Sequence, residues 1–327
     1  MTRTALIVGA NGRFGRAAAK SLNVRGWQTR LFARQASEHH SRTSDWRIGD
    51  ARDAGALSSA AQGCDVIINA LTPPYSKWST EIPKFTKAVI SAAQASEAHI
   101  IVPGNIYNFG PSMPSVLTEQ TPQNAKGTLG RARIKMEQTY KEATAVGVKT
   151  LILRAGDFFE REVTGNWFDS QITPKIADGK ITYPGTMTST HCWAYLPDLG
   201  RATALCCDKL DRFDDFDTLG FPGYALSGRE FVELLERASG KSLKVAGVPW
   251  PIIRLLSAFI PDLRGVMEVA YQWRTPHEID GKRFRSLFPE FHETKLIDAF
   301  RDAISGRFQR SKLEAESTAA AEVSHAR

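Results

Sequence analysis

The sequence predicts a doubly wound α/β fold, in which helices cover both faces of a parallel β-sheet and a smaller, interleaved C-terminal lobe completes the protein. Two observations support this fold class. The chain opens with a strand, a glycine-rich turn and a helix, and strands then alternate with amphipathic helices through its first half. Such alternation is typical of βαβ units, which build parallel sheets.

The first predicted strand ends in a turn with three glycines at three-residue spacing. Residues 5–8 are apolar, Gly9, Gly12 and Gly15 follow, and a helix is predicted to begin near Arg13. Glycine is needed where backbone approaches a ligand or another backbone closely, because a Cβ would clash there. The free N–H groups of the first helical turn can hold a pyrophosphate. An ordinary glycine-rich turn is the alternative, but the position between a strand and a helix favours a dinucleotide site.

The second predicted strand, residues 29–34, ends in an arginine. In a dinucleotide-binding fold the end of this strand meets the adenosine ribose. An acid there binds the 2′-hydroxyl of NAD, whereas an arginine pairs with the 2′-phosphate of NADP. Arg34 occupies this position, Arg13 lies nearby in the glycine turn, and the first acid is Glu38. Two solvated surface arginines are the alternative. The sequence therefore favours NADP, with NAD left open.

The remaining elements follow at regular spacing. A third strand begins at Trp46, further strands are predicted over 65–71, 98–102, 149–154 and 216–219, and helices over 54–62, 79–96 and 126–145. Ligands bind beyond the carboxyl ends of the strands in such sheets. The other cofactor contacts are therefore expected at Asn11, Phe14, Asp50, Ala51, Ala70, Leu71, Thr72, Gly104, Ala155, Asp157 and Phe158. Asp50 can accept a hydrogen bond from adenine or cap the helix that follows it.

Charge points to an anionic small molecule rather than to nucleic acid. The 327 residues are 42% hydrophobic and 24% charged, and the net charge is +7. The excess of arginine lies early and is spread through predicted strands and helices. A basic nucleic-acid site would instead be clustered, with aromatic residues among the cations. Attraction of an anionic cofactor or substrate accounts for the charge.

Cysteine usage and hydropathy point to a cytoplasmic protein. The four cysteines show no metal-ligand spacing, which favours a reducing compartment and no metal site. The start of the chain lacks the features of a signal peptide. The most apolar later stretch, 248–271, is too interrupted by charged residues and proline to span a bilayer.

The chain is predicted to form two interleaved parts. A dinucleotide-binding domain is expected over 1–160, with 190–220 returning to it. A substrate lobe is expected over 161–189 and 221–305. Residues 306–327 are polar and without periodicity, which predicts a disordered tail.

In their order and spacing, these motifs resemble the short-chain dehydrogenase/reductase superfamily, in particular its extended and atypical branches of NAD-dependent epimerase/dehydratase-like and NmrA-like proteins. The resemblance covers almost the whole chain. It rests on the glycine turn, Asp50, Asn69-Ala70-Leu71, Ile106-Tyr107, Lys135 with Glu137, Arg154-Ala155-Gly156 and Pro197-Asp198-Leu199. It implies a Rossmann fold with a smaller substrate lobe, a nicotinamide cofactor and a small-molecule substrate.

The catalytic motif of that superfamily is incomplete in this chain. The resemblance implies a Tyr and a Lys four residues apart on one helix face, and a Ser after the fifth strand. The Lys lowers the pKa of the phenol and holds the nicotinamide ribose. This chain has Lys135, but Arg131 stands where the family has Tyr and Pro103 where it has Ser. Arg131 could bind an anion or polarise a carbonyl, but a guanidinium stays protonated and cannot replace the phenol.

Two functions stay open on this evidence. In the first, an NAD(P)-dependent oxidoreductase or epimerase takes its proton from Tyr107, Tyr195 or His191, with Lys135 on the cofactor ribose. A packed aromatic or a core histidine is the alternative for each of the three. In the second, the protein is a catalytically silent NADP-sensing regulator of the NmrA type. No nucleic-acid or membrane partner is expected, and the substrate and the choice between monomer and homo-oligomer stay open.

Overall fold

The structure, a computed structural model, describes residues 2–41 and 43–308. Its strands are β1 (Thr4–Val8), β2 (Gln28–Ala33), β3 (Asp45–Ile48), β4 (Val66–Asn69), β5 (His99–Gly104), β6 (Val116–Leu117), β7 (Thr150–Arg154), β8 (Asp157–Phe159), β9 (Lys180–Tyr183), β10 (Thr190–Tyr195), β11 (Phe216–Gly220), β12 (Tyr224–Ser227), β13 (Lys244–Gly247) and β14 (Glu278–Ile279). Its helices are α1 (Arg13–Val24), α2 (Ala54–Ala61), α3 (Trp78–Ser96), α4 (Thr128–Glu142), α5 (Leu196–Asp208), α6 (Gly228–Ser239), α7 (Trp250–Leu256), α8 (Pro261–Val269) and α9 (Lys282–Leu287). A last helix, α10, covers 296–308.

A seven-stranded parallel sheet forms the centre of the protein, in the order β3-β2-β1-β4-β5-β7-β11. The order reverses after β3, so that β4 lies on the side of β1 opposite to β2. Val8, at the end of β1, pairs with Phe32 on one side and Asn69 on the other. This is the Rossmann arrangement that the sequence predicts, and the fold class is confirmed. The reversal between β1 and β4 is the position at which such folds bind ligands.

Helices on both faces explain why the inner strands are so apolar. Every residue of β4 and β7 is buried, as is typical of inner strands of a parallel sheet. One hydrophobic layer joins the sheet to α1 and α5, which pack against each other. The other joins it to α2, α3 and α4. At the edge, β3 exposes Ile48 to solvent.

The lobe is held together by aromatic side chains. Its strands form three small sheets, β8-β10-β12, β9-β13 and β6-β14. Its core contains the buried rings of Phe159, Trp193, Phe231, Trp273 and Phe300, which contact one another. No helix within the described residues has the length and apolar character needed to cross a membrane.

Two predicted segment boundaries differ from the structure. Of the segment 190–220, α5 and β11 pack on the central sheet, whereas β10 pairs with β8 and β12 in the lobe. The predicted tail does not begin at residue 306, because 306–308 continue α10. Arg307 is buried there and its guanidinium donates to the carbonyl of Arg161 at 2.8 Å. The rest of the predicted tail, 309–327, lies outside the described residues.

A buried ion pair ties α4 to the ends of two sheet strands. Arg154 Nη2 lies 2.8 Å from Glu137 Oε2, and each side chain is 4% exposed. Arg154 Nη1 also donates to the carbonyl of Asn105 at 2.6 Å. The Glu137 carboxylate accepts from Asn108 at 2.9 Å and from Gln123 at 2.6 Å. The network therefore fixes the loop that follows β5, and with it the side chains that this loop carries.

We expect Glu137→Ala to lower the free energy of unfolding by about 3–5 kcal/mol, because it leaves the Arg154 guanidinium buried and uncompensated. Glu142→Ala, at an exposed position near the end of the same helix, is the control and should change it by less than about 0.5 kcal/mol. Urea unfolding followed by circular dichroism measures both. Equal effects of the two substitutions would contradict a stabilising role for the buried pair.

Candidate cofactor and substrate site

A cleft of about 1980 Å³ lies along the carboxyl ends of the sheet strands, between the sheet and the lobe. The sheet side is formed by the glycine turn and by the ends of β2, β4, β5 and β7. The lobe side is formed by residues 162–167 and by side chains of α7 and α8. Pockets for one small molecule usually measure about 300–1,000 Å³. The cleft is therefore large enough for a dinucleotide and a second ligand.

The glycine turn packs its backbone so closely on itself and on the end of β4 that Cβ atoms would be crowded there. Gly9 has φ +85°, and a Cβ there would lie 3.1 Å from the backbone of Ala70 at the end of β4. A Cβ on Gly12 would lie 3.2 Å, and one on Gly15 only 2.6 Å, from the carbonyl oxygen of Gly9. The turn can close only without these Cβ atoms. The residues present thus fit a pyrophosphate held against bare backbone.

The first turn of α1 presents its N–H groups to the cleft. Gly12 is the N-cap, and no side chain of the described residues caps the helix. Two arginines of this turn hold the lobe segment that lies opposite. Arg13 donates to the carbonyl of Thr164 at 2.6 Å, and Arg16 lies 2.6 Å from the Glu162 carboxylate. The helix terminus, with its dipole, provides an anion-binding position under this segment.

Arg34 is exposed at the end of β2 and lines the cleft. Among the described residues it has no hydrogen-bond or ion-pair partner. Asp50, at the end of β3, is engaged differently. Its carboxylate accepts from Arg52 Nε at 2.9 Å and from the Arg52 backbone, and these hydrogen bonds lower the pKa of Asp50 to about 2. The adenosine end of the cleft therefore carries a free cation, while its nearest acid is already paired.

Most of the predicted cofactor residues lie together in this cleft. Those that line it are Gly9, Asn11, Gly12, Arg13, Phe14, Arg34, Asp50, Ala51, Ala70, Leu71, Thr72, Gly104, Ala155, Asp157 and Phe158. Gly15 supports the turn from behind instead of lining the cleft. Pro103, at the position of the family's Ser, also lines the cleft.

Lys135 and Arg131 do not reach the cleft, which corrects two predicted catalytic positions. Both side chains are exposed on the outer side of α4, and neither lines the cleft. The residues that α4 buries include Leu129 and Arg133, which are one helical turn apart, and Arg133 lines the cleft. A helix has about 3.6 residues per turn, so a shift of two residues moves a side chain to the opposite side. The helical periodicity of buried residues on α4 is the signal that finds Arg133.

Two tyrosines and a tryptophan surround the Arg133 side chain. The hydroxyls of Tyr75 and Tyr107 are 2.8 Å apart, and both residues line the cleft. The Tyr107 ring stacks on Trp78 at 5.9 Å, and the guanidinium of Arg133 lies 4.6 Å from the Trp78 ring centre on a cation–π contact. Burial raises the pKa of Tyr75 to about 12 and holds that of Tyr107 well above its usual value. Both phenols are therefore protonated at neutral pH.

His191 lies behind the cleft and touches it only through Asp157. Its Nε2 is 3.0 Å from Asp157 Oδ2, its ring stacks on Trp273 at 4.2 Å, and His277 packs edge-on at 4.6 Å. Burial and the neighbouring His191 lower the pKa of His277 to about 3. Tyr195, the third predicted proton donor, instead donates to Asp302 at 2.7 Å. Of the three candidates, Tyr107 alone lines the cleft.

Within the described residues, no group of three His, Cys, Asp or Glu side chains is arranged to hold a metal ion. The four cysteines are buried and unpaired. The polar side chains that define the cleft are therefore its arginines, its tyrosine hydroxyls and a few paired carboxylates.

Fold and cleft together define a dinucleotide-binding protein of the Rossmann class. A family model described as NAD(P)H-binding matches residues 9–182, more than half of the chain. The chain belongs to this NAD(P)H-binding family. The match includes the glycine turn, the end of β2 and α4, and it supports a nicotinamide dinucleotide as the cofactor. No curated protein matches the sequence.

Solved structures with the same fold include sugar-nucleotide epimerases. UDP-glucose 4-epimerase from Thermotoga maritima, solved with UDP-glucose, has a TM-score of 0.75 and 13% identity over 95% of this chain and 99% of that chain. The enzyme of that name from Brucella ovis, in complex with NAD, has a TM-score of 0.72 and 19% identity over 94% and 99%. A nucleoside-diphosphate-sugar epimerase from Pseudomonas aeruginosa has a TM-score of 0.73 and 17% identity over 93% and 97%. The similarity to the extended epimerase/dehydratase-like branch is confirmed for the fold.

We expect Gly15→Ala to weaken NADPH binding about tenfold or more, since distorting the turn by about 1.4 kcal/mol is enough for that factor. The added Cβ would meet the Gly9 carbonyl oxygen at 2.6 Å. Gly247→Ala is the control, because nothing lies within 4 Å of its added Cβ. Fluorescence titration with NADPH measures both dissociation constants. An unchanged constant for Gly15→Ala would show that the turn does not hold the nucleotide.

Proposed function

We propose that the protein is an NADP-dependent oxidoreductase acting on a small carbonyl or hydroxyl compound. The observation that carries this proposal is the combination, in one cleft, of the bare glycine turn, the unpaired Arg34 and the protonated Tyr75–Tyr107 pair. When bound, the nicotinamide supplies or accepts a hydride. The residues of the chain hold the nucleotide at one end of the cleft and move a proton at the other.

Arg34 supports NADP as the cofactor. Its guanidinium lies at the end of β2, where the adenosine ribose meets a Rossmann sheet, and it has no partner among the described residues. A guanidinium offers two parallel N–H groups to phosphate oxygens. Asp50 cannot easily replace it as a partner for a ribose hydroxyl, since Arg52 already engages its carboxylate. The 2′-phosphate of NADP would neutralise the charge of the Arg34 guanidinium.

The Tyr75–Tyr107 pair supports a proton-donating role. Each phenol is protonated at neutral pH because burial raises its pKa. One hydroxyl can give its proton to a substrate oxygen at the open side of the cleft, while the other donates a hydrogen bond to the phenolate that is left, which then regains a proton from water. A protonated donor favours the reductive direction, in which a carbonyl oxygen gains a proton as its carbon gains hydride. The loop after β5 that carries Tyr107 is fixed by the Arg154–Glu137 network.

A catalytically silent NADP sensor is the second candidate, and one observation favours it. Arg133 is the residue of α4 that lines the cleft, so within the described residues α4 presents no Tyr–Lys pair to it. Burial raises the pKa of Tyr107, and without a nearby ammonium group its phenolate is less stabilised than in a Tyr–Lys pair. Turnover distinguishes the two functions, since both require nucleotide binding and only the first consumes NADPH.

We expect Arg34→Ala to weaken NADPH binding about tenfold or more while leaving NADH binding nearly unchanged, because a hydrogen bond to a charged group contributes about 1.5–3 kcal/mol. Arg47→Ala is the control, since this exposed arginine pairs with Asp45 and does not line the cleft. Titration with each reduced nucleotide gives the ratio of dissociation constants. The NADP assignment is wrong if that ratio is the same in Arg34→Ala and in the unmodified protein.

We expect NADPH-dependent reduction of a carbonyl substrate to be independent of pH between about 7 and 9, because both phenols stay protonated over this range. Tyr107→Phe should lower kcat about 10²–10⁴-fold, the usual contribution of a general acid. Tyr195→Phe is the control, because that hydroxyl is bound to Asp302 outside the cleft. A panel of aldehydes, ketones and 2-oxo acids supplies the substrate. Binding of NADPH with no oxidation by any member would contradict the enzyme and favour the sensor.

A further inference from the structure

The substrate end of the cleft differs in charge from its cofactor end. The cations that line the cleft are Arg13, Arg16, Arg34, Arg52, Lys77 and Arg133, and all of them belong to the sheet side. The lobe side, in contrast, contributes Glu162, Val163, Thr164, Gly165, Asn166, Trp167, Ser170, Gln171, Ile253, Leu263 and Val266. No Arg or Lys is among these lobe residues. The lobe residues that line the cleft therefore offer no cation to hold the diphosphate of a second nucleotide.

Arg133 is a buried cation with no carboxylate at ion-pair distance among the described residues, and the Glu137 carboxylate, one helical turn away, acts on it only through space. Its residue is 7% exposed, and it lines the cleft beside the tyrosine pair. Within the described part of the chain its Nε has no hydrogen-bond partner, and Nη1 reaches only the sulfur of Met136 at 3.8 Å. Desolvation lowers the pKa of Arg133. A buried cation in this condition is costly unless a ligand supplies negative charge.

The carboxylates nearest to Arg133 already have other partners. Glu137, one turn further along α4, is bound by Arg154, Asn108 and Gln123. Asp157, across the cleft, is bound by His191 at 3.0 Å. The other carboxylates that line the cleft are also paired, namely Asp50 with Arg52, Glu81 with Lys84 and Glu162 with Arg16. An anion for Arg133 must therefore come from a bound molecule.

The walls near Arg133 are apolar. Trp78 and the ring of Tyr107 stack beside its guanidinium. The helix α8 packs on both α4 and the short turn Tyr75–Lys77, so that its Leu263 and Val266 line the same end of the cleft. A Cβ on Gly265 of α8 would lie 2.6 Å from Tyr75, which shows how closely these elements approach. The pocket thus combines an apolar wall with one buried positive charge.

We propose that the substrate is a compact molecule with an apolar body and one anionic group, that Arg133 binds the anionic group, and that a nucleotide-diphosphate sugar is not the substrate. The inference rests on the proposed function and names the substrate class of the same site. In the bound state the guanidinium donates to the acid group. The apolar body lies against Trp78 and α8, beside the hydroxyls of Tyr75 and Tyr107.

The first test compares acids with neutral matched molecules on the full chain saturated with NADP. Isothermal titration measures the binding of benzoate, 3-phenylpropionate and 4-phenylbutyrate, of their primary amides, and of UDP-glucose. At least one acid should bind about tenfold or more tightly than its amide, which is the factor expected from one charge-assisted hydrogen bond. UDP-glucose should neither bind nor displace the acid. This comparison uses the unmodified protein and does not depend on the folding of a variant.

The second test assigns the preference to one side chain. Arg133→Met keeps the apolar volume and removes the charge, and it should make the acid and the amide bind equally. Removing a buried unpaired charge should leave the melting temperature unchanged or raise it. Arg133→Lys retains a cation and should keep part of the preference. Arg131→Met, on the exposed side of the same helix, is the matched control and should keep all of it.

Three results with the unmodified protein would overturn the inference: equal binding of acids and amides, no binding of any of the three acids, or displacement of the acid by UDP-glucose. An acid preference that survives in Arg133→Met would also overturn it. Weaker NADPH binding in Arg133→Met with an unchanged acid preference would assign the arginine to the cofactor instead. NADPH affinity is measured alongside. Failure of the acid test with intact NADPH binding refutes the substrate class alone, whereas loss of NADPH binding in the unmodified protein refutes the proposed function.

Discussion

The cofactor half of the protein depends on one close backbone contact, between the turn after β1 and the end of β4. Gly9 adopts φ +85° there, and its Cα lies so near Ala70 that a Cβ would approach the backbone to 3.1 Å. The strand order reverses between β1 and β4, which leaves a crevice beyond the carboxyl ends of these two strands. The turn after β1 contacts the end of β4 at the base of this crevice. The turn directs the first N–H groups of α1 into that crevice. The ends of the neighbouring parallel strands lie along it as a consequence of the same geometry.

Charge is distributed in the cleft so that only cations lack partners. Each lining carboxylate has a hydrogen-bond or ion-pair partner, whereas Arg34 and Arg133 have no carboxylate at ion-pair distance among the described residues. The two arginines differ in their surroundings. Arg34 is exposed, and water solvates its guanidinium. Leaving it without a bound anion therefore costs little free energy, and we expect it to affect mainly the selectivity between NADP and NAD. Arg133 is desolvated, and its free energy depends much more strongly on whether an anion is present.

The sequence predicted the sheet because order along the chain determines position in a parallel sheet. Residues such as Ala70, Gly104 and Ala155 follow apolar strands directly, and all of them line the cleft. The glycine spacing and Arg34 are equally local signals. The contact of Arg13 with Thr164, in contrast, joins residues 151 positions apart. Nothing in the local sequence indicates such a pairing, and so the lobe segment over α1 could not be predicted.

The register of α4 was wrong for a different reason. The family motif has a lysine on this helix, and the prediction placed it at Lys135 by residue type. The periodicity of the helix was not used. Together with Gly130 and Glu137, α4 buries Leu129, Arg133, Met136 and Tyr140. Their three- and four-residue spacing defines one face, and Lys135 is outside it. Arginine side chains are usually exposed, so residue type alone gives no indication that Arg133 is buried.

The tyrosine pair and Arg133 act in the same direction on a bound oxygen atom. Burial makes a phenolate unfavourable, and the nearby guanidinium offsets this only in part, since the pKa of Tyr75 is still raised to about 12. The pocket therefore keeps its hydroxyls as donors. Hydroxyl donors and a desolvated cation together stabilise negative charge that develops on a ligand. This electrostatic stabilisation is larger in a site of low dielectric than in water. Removing a proton from a substrate hydroxyl requires the phenolate, and burial makes that form of Tyr75 and Tyr107 unfavourable at neutral pH.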